Sequence, residues 1–535
     1  MPSVTRFSGT AGAGAVCARP GTGRASASSS ERVSRVIPSP LESRSTKVRR
    51  PLRAREPDRA RSPGTARCRS FPRSHGGRKT GGGVTAYRYP DSHVFYRKLG
   101  RSYPRIVRGE GCWLYDEQGK DYLDAVGGAY VANLGHSNPE MADALAAQAR
   151  EFGYVSASAF THGPVEELAR ELAQTLPGDL DKLYFLSSGS EAVEAALKLA
   201  RQYWVEAGKP GKHRIIALAP SYHGNTLLAL SASAREQYKA PFREWLVDVT
   251  RVPAPYAYRC ECGGENAGCP TCSGIALEGA IRRAGADTVA AFISEPVGGS
   301  STGASTPRPE YFRTIREICD RYQVLFVADE ILCGAGRTGT WWAIEPYGVA
   351  PDVMTLGKGI SGGYAPLSAV AASERIVDVI ANGSGSFLHA QTFSFHPVAC
   401  AAGLAAVRLL KRDRLVERCA RLGRVLHERL AGLAHLPHVG DVRGRGLLAG
   451  IEFVEDKATR APFPRAVKFV EAFTEAALDA GLVVWPNVGH ADGVNGDLVV
   501  AAPPFIITEQ EIDQIVARFT TAHAAAVKAV KLGAR

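Results

Sequence analysis

Between residues 183 and 372 the apolar positions come in short unbroken runs, at 183–187, 214–219, 289–294, 324–328, 353–357 and 366–372. Runs without polar alternation predict strands covered on both faces, as in a parallel sheet. The intervening stretches follow another period. In 191–204, Val193, Ala196, Leu197 and Ala200 recur at i, i+3, i+4 and i+7, which predicts one buried helix face. Strand, helix, strand at this rhythm implies an α/β domain on a mainly parallel sheet. After residue 395 the rhythm changes to long helical patterns, at 401–413, 415–433 and 466–480, with a few strands between them. This reads as a smaller α+β domain. The folded chain is thus expected to divide into 86–150, contributing to the small domain, 151–394, the large sheet domain, and 395–535, the small domain.

The first 85 residues break this pattern. They hold 18 Lys and Arg against 4 Asp and Glu, leaving 47 against 49 in the remainder, so the net charge of +12 belongs to this segment alone. Rich in Arg, Ser, Gly and Pro, with Phe7 and Phe71 as its only aromatics, it cannot bury enough apolar surface to offset its ordering entropy. It is expected to be a disordered basic extension. The same composition suits an organelle transit peptide or an arm touching nucleic acid, but the near-neutral body is not expected to bind nucleic acid. Deletion of residues 1–85 should leave the melting temperature nearly unchanged by calorimetry. A large loss of stability would show instead that the arm packs on the body. No run approaches the length of a membrane span, and no secretory signal is recognisable. Scattered cysteines suit a reducing cytoplasm better than a disulfide scaffold.

Sites in open α/β sheets gather at the carboxyl ends of strands. Three such ends carry polar residues. The run 183–187 leads into Ser188, Gly189, Ser190 and Glu191, where Ser188 and Glu191 have capping-box spacing at the start of a helix. Such a start is an anion site suited to a phosphate, although Ser-Gly-Ser before a helix also serves as a plain cap. The run 324–328 delivers Asp329, and 353–357 delivers Lys358 between two glycines. A lone lysine is most often a solvated surface residue. A phosphate cradle, a buried acid and a lysine together are what pyridoxal phosphate requires.

Six motifs then stand in order: FLSSGSEAVEAALKLAR (185–201), SYHGNT (221–226), SEPVGG (294–299), FVADEILCGAGRTG (326–339), TLGKGISGGYAPL (355–367) and QTFSFHPVACAAGLA (391–405). With these, residues 90–520 resemble the class III (subgroup II) pyridoxal-phosphate aminotransferases of fold type I. The resemblance implies that Gly189 and Ser190 bind the cofactor phosphate and that Tyr222 stacks on the pyridine ring with His223 beside it. It implies that Asp329 pairs with the pyridine nitrogen, Ile331 packs behind the ring, and Lys358 attaches the cofactor through its amine. Glu295 of the Glu-Pro motif would lie beside the cofactor. Thr392 would reach the phosphate from a second copy, which makes the expected enzyme a homodimer. Ile331, Leu332 and Cys333 stand where the family commonly has valine, glutamine and threonine.

The implied reaction moves an amino group from a donor to a keto acid such as pyruvate or 2-oxoglutarate, with Lys358 as the base. In relatives that use α-amino acids or 2-oxoglutarate, an arginine in an I-R-x-A-P-P segment grips a carboxylate and pairs with that glutamate. Here the segment reads Leu498, Val499, Val500, Ala501, Ala502, Pro503, Pro504, so Val499 or Val500 takes the arginine's place. Either Arg443 substitutes or Glu295 has a raised pKa and awaits a cationic substrate group. An amine or ω-amino acid donor is the expectation, with Tyr130 and Phe160 as candidate pocket walls beside Val500. An aminomutase or decarboxylase on the same fold is the alternative, since cofactor residues do not separate them. A regulator with a basic arm would need a helix-turn-helix that residues 1–85 do not show.

One insertion lies outside these motifs. Cys260, Cys262, Cys269 and Cys272 are spaced C-x-C-x6-C-x2-C among Gly263, Gly264, Gly268 and Pro270. Four thiols in a Gly-rich loop suit a structural zinc ion, or stand as free, redox-labile thiols.

Overall fold

The continuous apolar runs become the middle of a seven-stranded sheet. In a computed structural model describing residues 87–530, apart from 265 and 267, its spatial order is Leu180–Leu186, Ser368–Ser373, Val353–Leu356, Leu325–Asp329, Val289–Ser294, Arg214–Ala219 and Thr250–Pro253. All residues of Val289–Ser294, Leu325–Asp329, Val353–Leu356 and Ser368–Ser373 are buried, which is why none of them alternates in polarity. The pairs among the last five strands of this order are parallel, while Ser368–Ser373 runs antiparallel to both of its neighbours. Its direction was not readable, because a strand of small residues buried on both faces gives no pattern that distinguishes the two pairings. The fold is the α/β architecture of fold type I.

Two cores cover the sheet. One packs Leu168, Phe292, Phe312, Phe326 and Trp342 on one side, and the other packs helix Gly189–Glu206 through Val193, Ala196, Leu197 and Ala200. A third core joins the C-terminal helices to residues from the start of the chain, among them Cys112, Leu123 and Met141. There the short strand Leu482–Val483 pairs in parallel with Asp121–Asp124, closing a four-stranded sheet with Ile106–Glu110 and Trp113–Asp116. A second four-stranded sheet runs Val439–Arg445, Leu448–Phe453, Asp497–Ala501, Trp485–Val488.

The described residues belong to one compact unit. The helix expected over 466–480 begins at Phe469, because Lys468 takes φ +55° after the turn Arg465–Val467 and separates the two. Among the described residues no helix is long and apolar enough to cross a membrane. The basic segment 1–85 lies outside the described residues.

Candidate active site

Register brings the chemistry to one edge. Asp329 pairs with Thr355 across two parallel strands, so the acid ending one strand stands three residues before Lys358 on the next. Asp329 is 3% exposed, and its Oδ2 lies 2.7 Å from His223 Nδ1. Its Oδ1 accepts from Ile331 N at 3.1 Å and from Thr355 Oγ1 at 3.2 Å. His223 is fully buried, and its Nε2 has no partner.

Lys358 sits at φ +47°, a left-handed conformation that a residue with a Cβ adopts only under constraint. Its amine makes no hydrogen bond among the described residues. Burial pulls its pKa below the ordinary lysine value, against the opposing pull of Asp329 and Glu295. Glu295 is buried, and burial drives its pKa upward. Its carboxylate accepts from Tyr222 N at 3.2 Å, Gly299 N at 2.9 Å and Ser301 Oγ at 3.4 Å, with no arginine or lysine paired to it among the described residues. Arg443 does not fill that role. It is spent on Asp441, Glu452 and the Thr302 carbonyl.

The helix start is shaped by space. Ser188 caps Gly189–Glu206 by accepting from Glu191 N at 3.3 Å, but the other half of the expected capping box is missing, since Glu191 Oε2 accepts from Ser187 N at 3.0 Å instead. A Cβ on Gly189 would come within 2.9 Å of Ile331 Cγ2, so only glycine lets Ile331 sit against this turn. Gly224, at φ +136°, would bring a Cβ to 2.5 Å from Ser190 Oγ, which itself accepts from Asn225 N at 3.1 Å. The SYHGNT segment therefore lies directly on the helix start, where the amides of Gly189 and Ser190 have no intrahelical acceptor.

Gly189, Ser190, Tyr222, His223, Glu295, Asp329, Ile331 and Lys358 thus share one neighbourhood. Tyr130 and Val500 share a buried apolar cluster with Val297 and Cys333, whereas Val499 faces the C-terminal core. Strand alternation makes Val500 the residue on the Glu295 side. The Tyr130 hydroxyl is buried without a partner. Phe160, 66% exposed, and Thr392, also exposed, are not brought into this neighbourhood within one chain.

Sequence reasoning missed Arg235. Its guanidinium is 7% exposed, stacks 4.5 Å from the Tyr238 ring centroid and 5.8 Å from that of Tyr222, and donates to Asn487 Oδ1. Its Nε has no partner, and no carboxylate is paired with it among the described residues. Burial lowers its pKa, with Tyr238, Tyr222 and Tyr130 pulling the other way. Nothing local in Ser-Ala-Arg-Glu-Gln-Tyr distinguishes it from a surface arginine, because its burial comes from Asn487, 252 residues away.

This geometry can be set beside known proteins. Residues 97–523 match the family model described as aminotransferase class-III. The chain belongs to the class III aminotransferases. An uncharacterized aminotransferase of Schizosaccharomyces pombe is 41% identical over 79% of this chain and 93% of its own length. The putrescine–pyruvate aminotransferase of Pseudomonas aeruginosa is 34% identical over 79% of this chain and 91% of its own. Among solved structures, an (S)-enantioselective ω-transaminase from Thermomicrobium roseum superposes with TM-score 0.76 at 35% identity, covering 82% of this chain and 96% of that one. The Pseudomonas jessenii ω-transaminase in complex with PMP gives 0.75 at 33%, covering 81% and 95%.

This aminotransferase is pyridoxal-phosphate-dependent, and its residues fit that group. The unpartnered Nε2 of His223 leaves a polar atom for the cofactor to meet, and the Gly189 turn is a cradle that a Cβ would fill. Both lie beside Asp329 and Ile331, at the edge where the sheet also delivers Lys358.

Proposed function

We propose that this aminotransferase takes amino groups from amines or ω-amino acids and passes them to a keto acid such as pyruvate or 2-oxoglutarate. One observation carries the reading: Val500 makes the wall beside Glu295 apolar, while the site's buried guanidinium, Arg235, stands at the Tyr222 and Tyr238 side without a carboxylate. An unpaired buried cation is costly and is relieved by an incoming anion. A carboxylate far from the reacting carbon would reach Arg235. One adjacent to that carbon would find no cation at Val500.

Pyridoxal phosphate, when bound, supplies an electron sink for the amine-bearing carbon. The protein does the rest. The amides of Gly189 and Ser190, with the Ser190 hydroxyl, hold the phosphate at the helix start. Tyr222 and Ile331 are the residues that would hold its ring. Asp329, fixed by His223 and Thr355, is the carboxylate that would hold a proton on the ring nitrogen of the bound group. Lys358, its amine made less basic by burial, takes the proton from the donor carbon. In a homodimer Thr392 and Phe160 of a second copy would complete phosphate binding and the pocket wall, which suits the exposure of both within one chain. Buried unpaired thiols at Cys112, Cys319, Cys333, Cys400 and Cys419 support a reducing cytoplasm.

A donor panel with one fixed acceptor tests the substrate reading. Val500→Arg should raise kcat/KM for alanine and glutamate relative to primary amines by about tenfold, near 1.4 kcal/mol. Arg235→Met should lower it for ω-amino acids by roughly 10- to 100-fold, a lost charge-assisted pair, and spare amines without a carboxylate. If the unmodified enzyme prefers alanine or glutamate to every amine and ω-amino acid by about tenfold, this reading fails.

A further inference from the structure

The reaction leaves unused the cysteine loop between the strand Thr250–Pro253 and the helix Ala276–Ala284. We propose that Cys260, Cys262, Cys269 and Cys272 bind one zinc ion as a tetrathiolate, and that this ion braces the loop across the boundary between the seven-stranded sheet and the C-terminal sheet. The four Sγ atoms all lie within 4.8 Å of one another. Cys260 and Cys262 are 3.3 Å apart, Cys260 and Cys269 3.6 Å, and Cys262 and Cys272 3.4 Å. A tetrahedral ion with bonds of about 2.3 Å needs sulfurs about 3.8 Å apart, so the cluster is the size of one ion and too tight for an iron–sulfur cage. All four cysteines are unpaired by disulfide. Gly264 N donates to Cys262 Sγ at 3.3 Å, the amide-to-sulfur bond that favours a thiolate ligand.

The loop is held at few points, among them the Gly264 carbonyl, which accepts from Arg308 Nη1 at 3.0 Å, and the buried Cys272. Among its cysteines only Cys272 is buried, and the glycines supply no side chains to a core. Tyr258 and Gly263 line an open cavity of about 450 Å³ shared with Thr306, Asp441 and Arg460, with Arg259 and Arg460 stacked on the Tyr258 ring. Yet the segment leading into it makes exacting contacts. Arg259 Nε donates to Glu452 Oε1 at 2.7 Å, Tyr256 Oη donates to Glu452 Oε2, and the Pro255 carbonyl accepts from Ser305 Oγ at 2.6 Å. Glu452 belongs to the C-terminal sheet, and Ser305 to the loop that follows Glu295. A metal joining residues 260 and 272 fixes the far end of this segment, where hydrophobic burial is too small to do so.

Zinc takes no part in amino transfer here, so metal content and turnover report on separate readings. The holoenzyme is purified from cells given a defined mixture of zinc and iron, with no metal or chelator added afterwards, and analysed for both elements. About one zinc per chain is expected, released in step with the blocking of about four thiols by an organomercurial. Cys269→Ser and Cys272→Ser should reduce zinc at least about tenfold and lower the melting temperature, with retained cofactor colour showing that the variants are folded. If neither variant folds, the organomercurial titration of the unmodified enzyme decides. Absence of zinc with four freely reactive thiols, stoichiometric iron in its place, or zinc that survives the cysteine substitutions in folded protein would each overturn the site.

Discussion

Lys358→Ala should lose the yellow of lysine-bound cofactor and lower turnover by at least about 10⁴-fold, the upper range for a positioned acid–base group that is also the point of attachment. The structure separates this from a folding defect. The Lys358 amine makes no hydrogen bond to the protein, and alanine carries the same Cβ, so the strain at φ +47° is the same in both proteins. The melting temperature without cofactor should therefore move little while activity disappears. Added small primary amines should restore part of the rate, because they supply a diffusible base to the space the side chain vacates. Full transamination by Lys358→Ala would remove Lys358 from the mechanism altogether.

The site was legible to the extent that it is built from strand ends. Asp329 and Lys358 follow runs buried on every residue, and such runs announce both their strand and the edge where they stop. Gly189 and Ser190 were legible for a related reason, since a cap after an apolar run marks a helix start. Residues whose meaning depends on distant partners were not. Arg235 takes its role from Asn487 and Tyr238, and its sequence neighbours carry no trace of that burial. Val499 and Val500 were equivalent until strand pairing fixed which one faces Val297 and which faces the core. The Glu191 carboxylate, expected on the cap residue's amide, bonds the amide one residue earlier, and the spacing in the sequence is the same for both. For Glu295 the sequence left open whether another arginine, such as Arg443, takes the missing partner's place, and Arg443 is engaged elsewhere. The sequence could not show that two backbone amides take its place.

Asp329→Asn should be the next most damaging change, lowering kcat by about 10² to 10⁴-fold while the protein still binds cofactor. The carboxylate has two duties that an amide cannot combine. Oδ2 faces His223 Nδ1 at 2.7 Å, and Oδ1 already accepts from Ile331 N and Thr355 Oγ1. Those two donors fix the amide oxygen at Oδ1, which leaves its NH₂ pointed at His223 and the ring nitrogen with no negative charge to hold its proton. A purely structural aspartate would lose stability instead, so the deciding measurement is a pH profile. Asp329 raises the pKa of the Lys358 amine, opposing the larger effect of burial. Without that charge the amine loses its proton at lower pH, and the acid limb of kcat/KM should shift toward acid even as the plateau falls. Asp329→Glu, which keeps the charge on a longer arm, should hold the limb near its original position and recover part of kcat. If Asp329→Asn lowers the melting temperature but leaves kcat and the acid limb where they were, Asp329 is a structural acid and the ring nitrogen is held by another group.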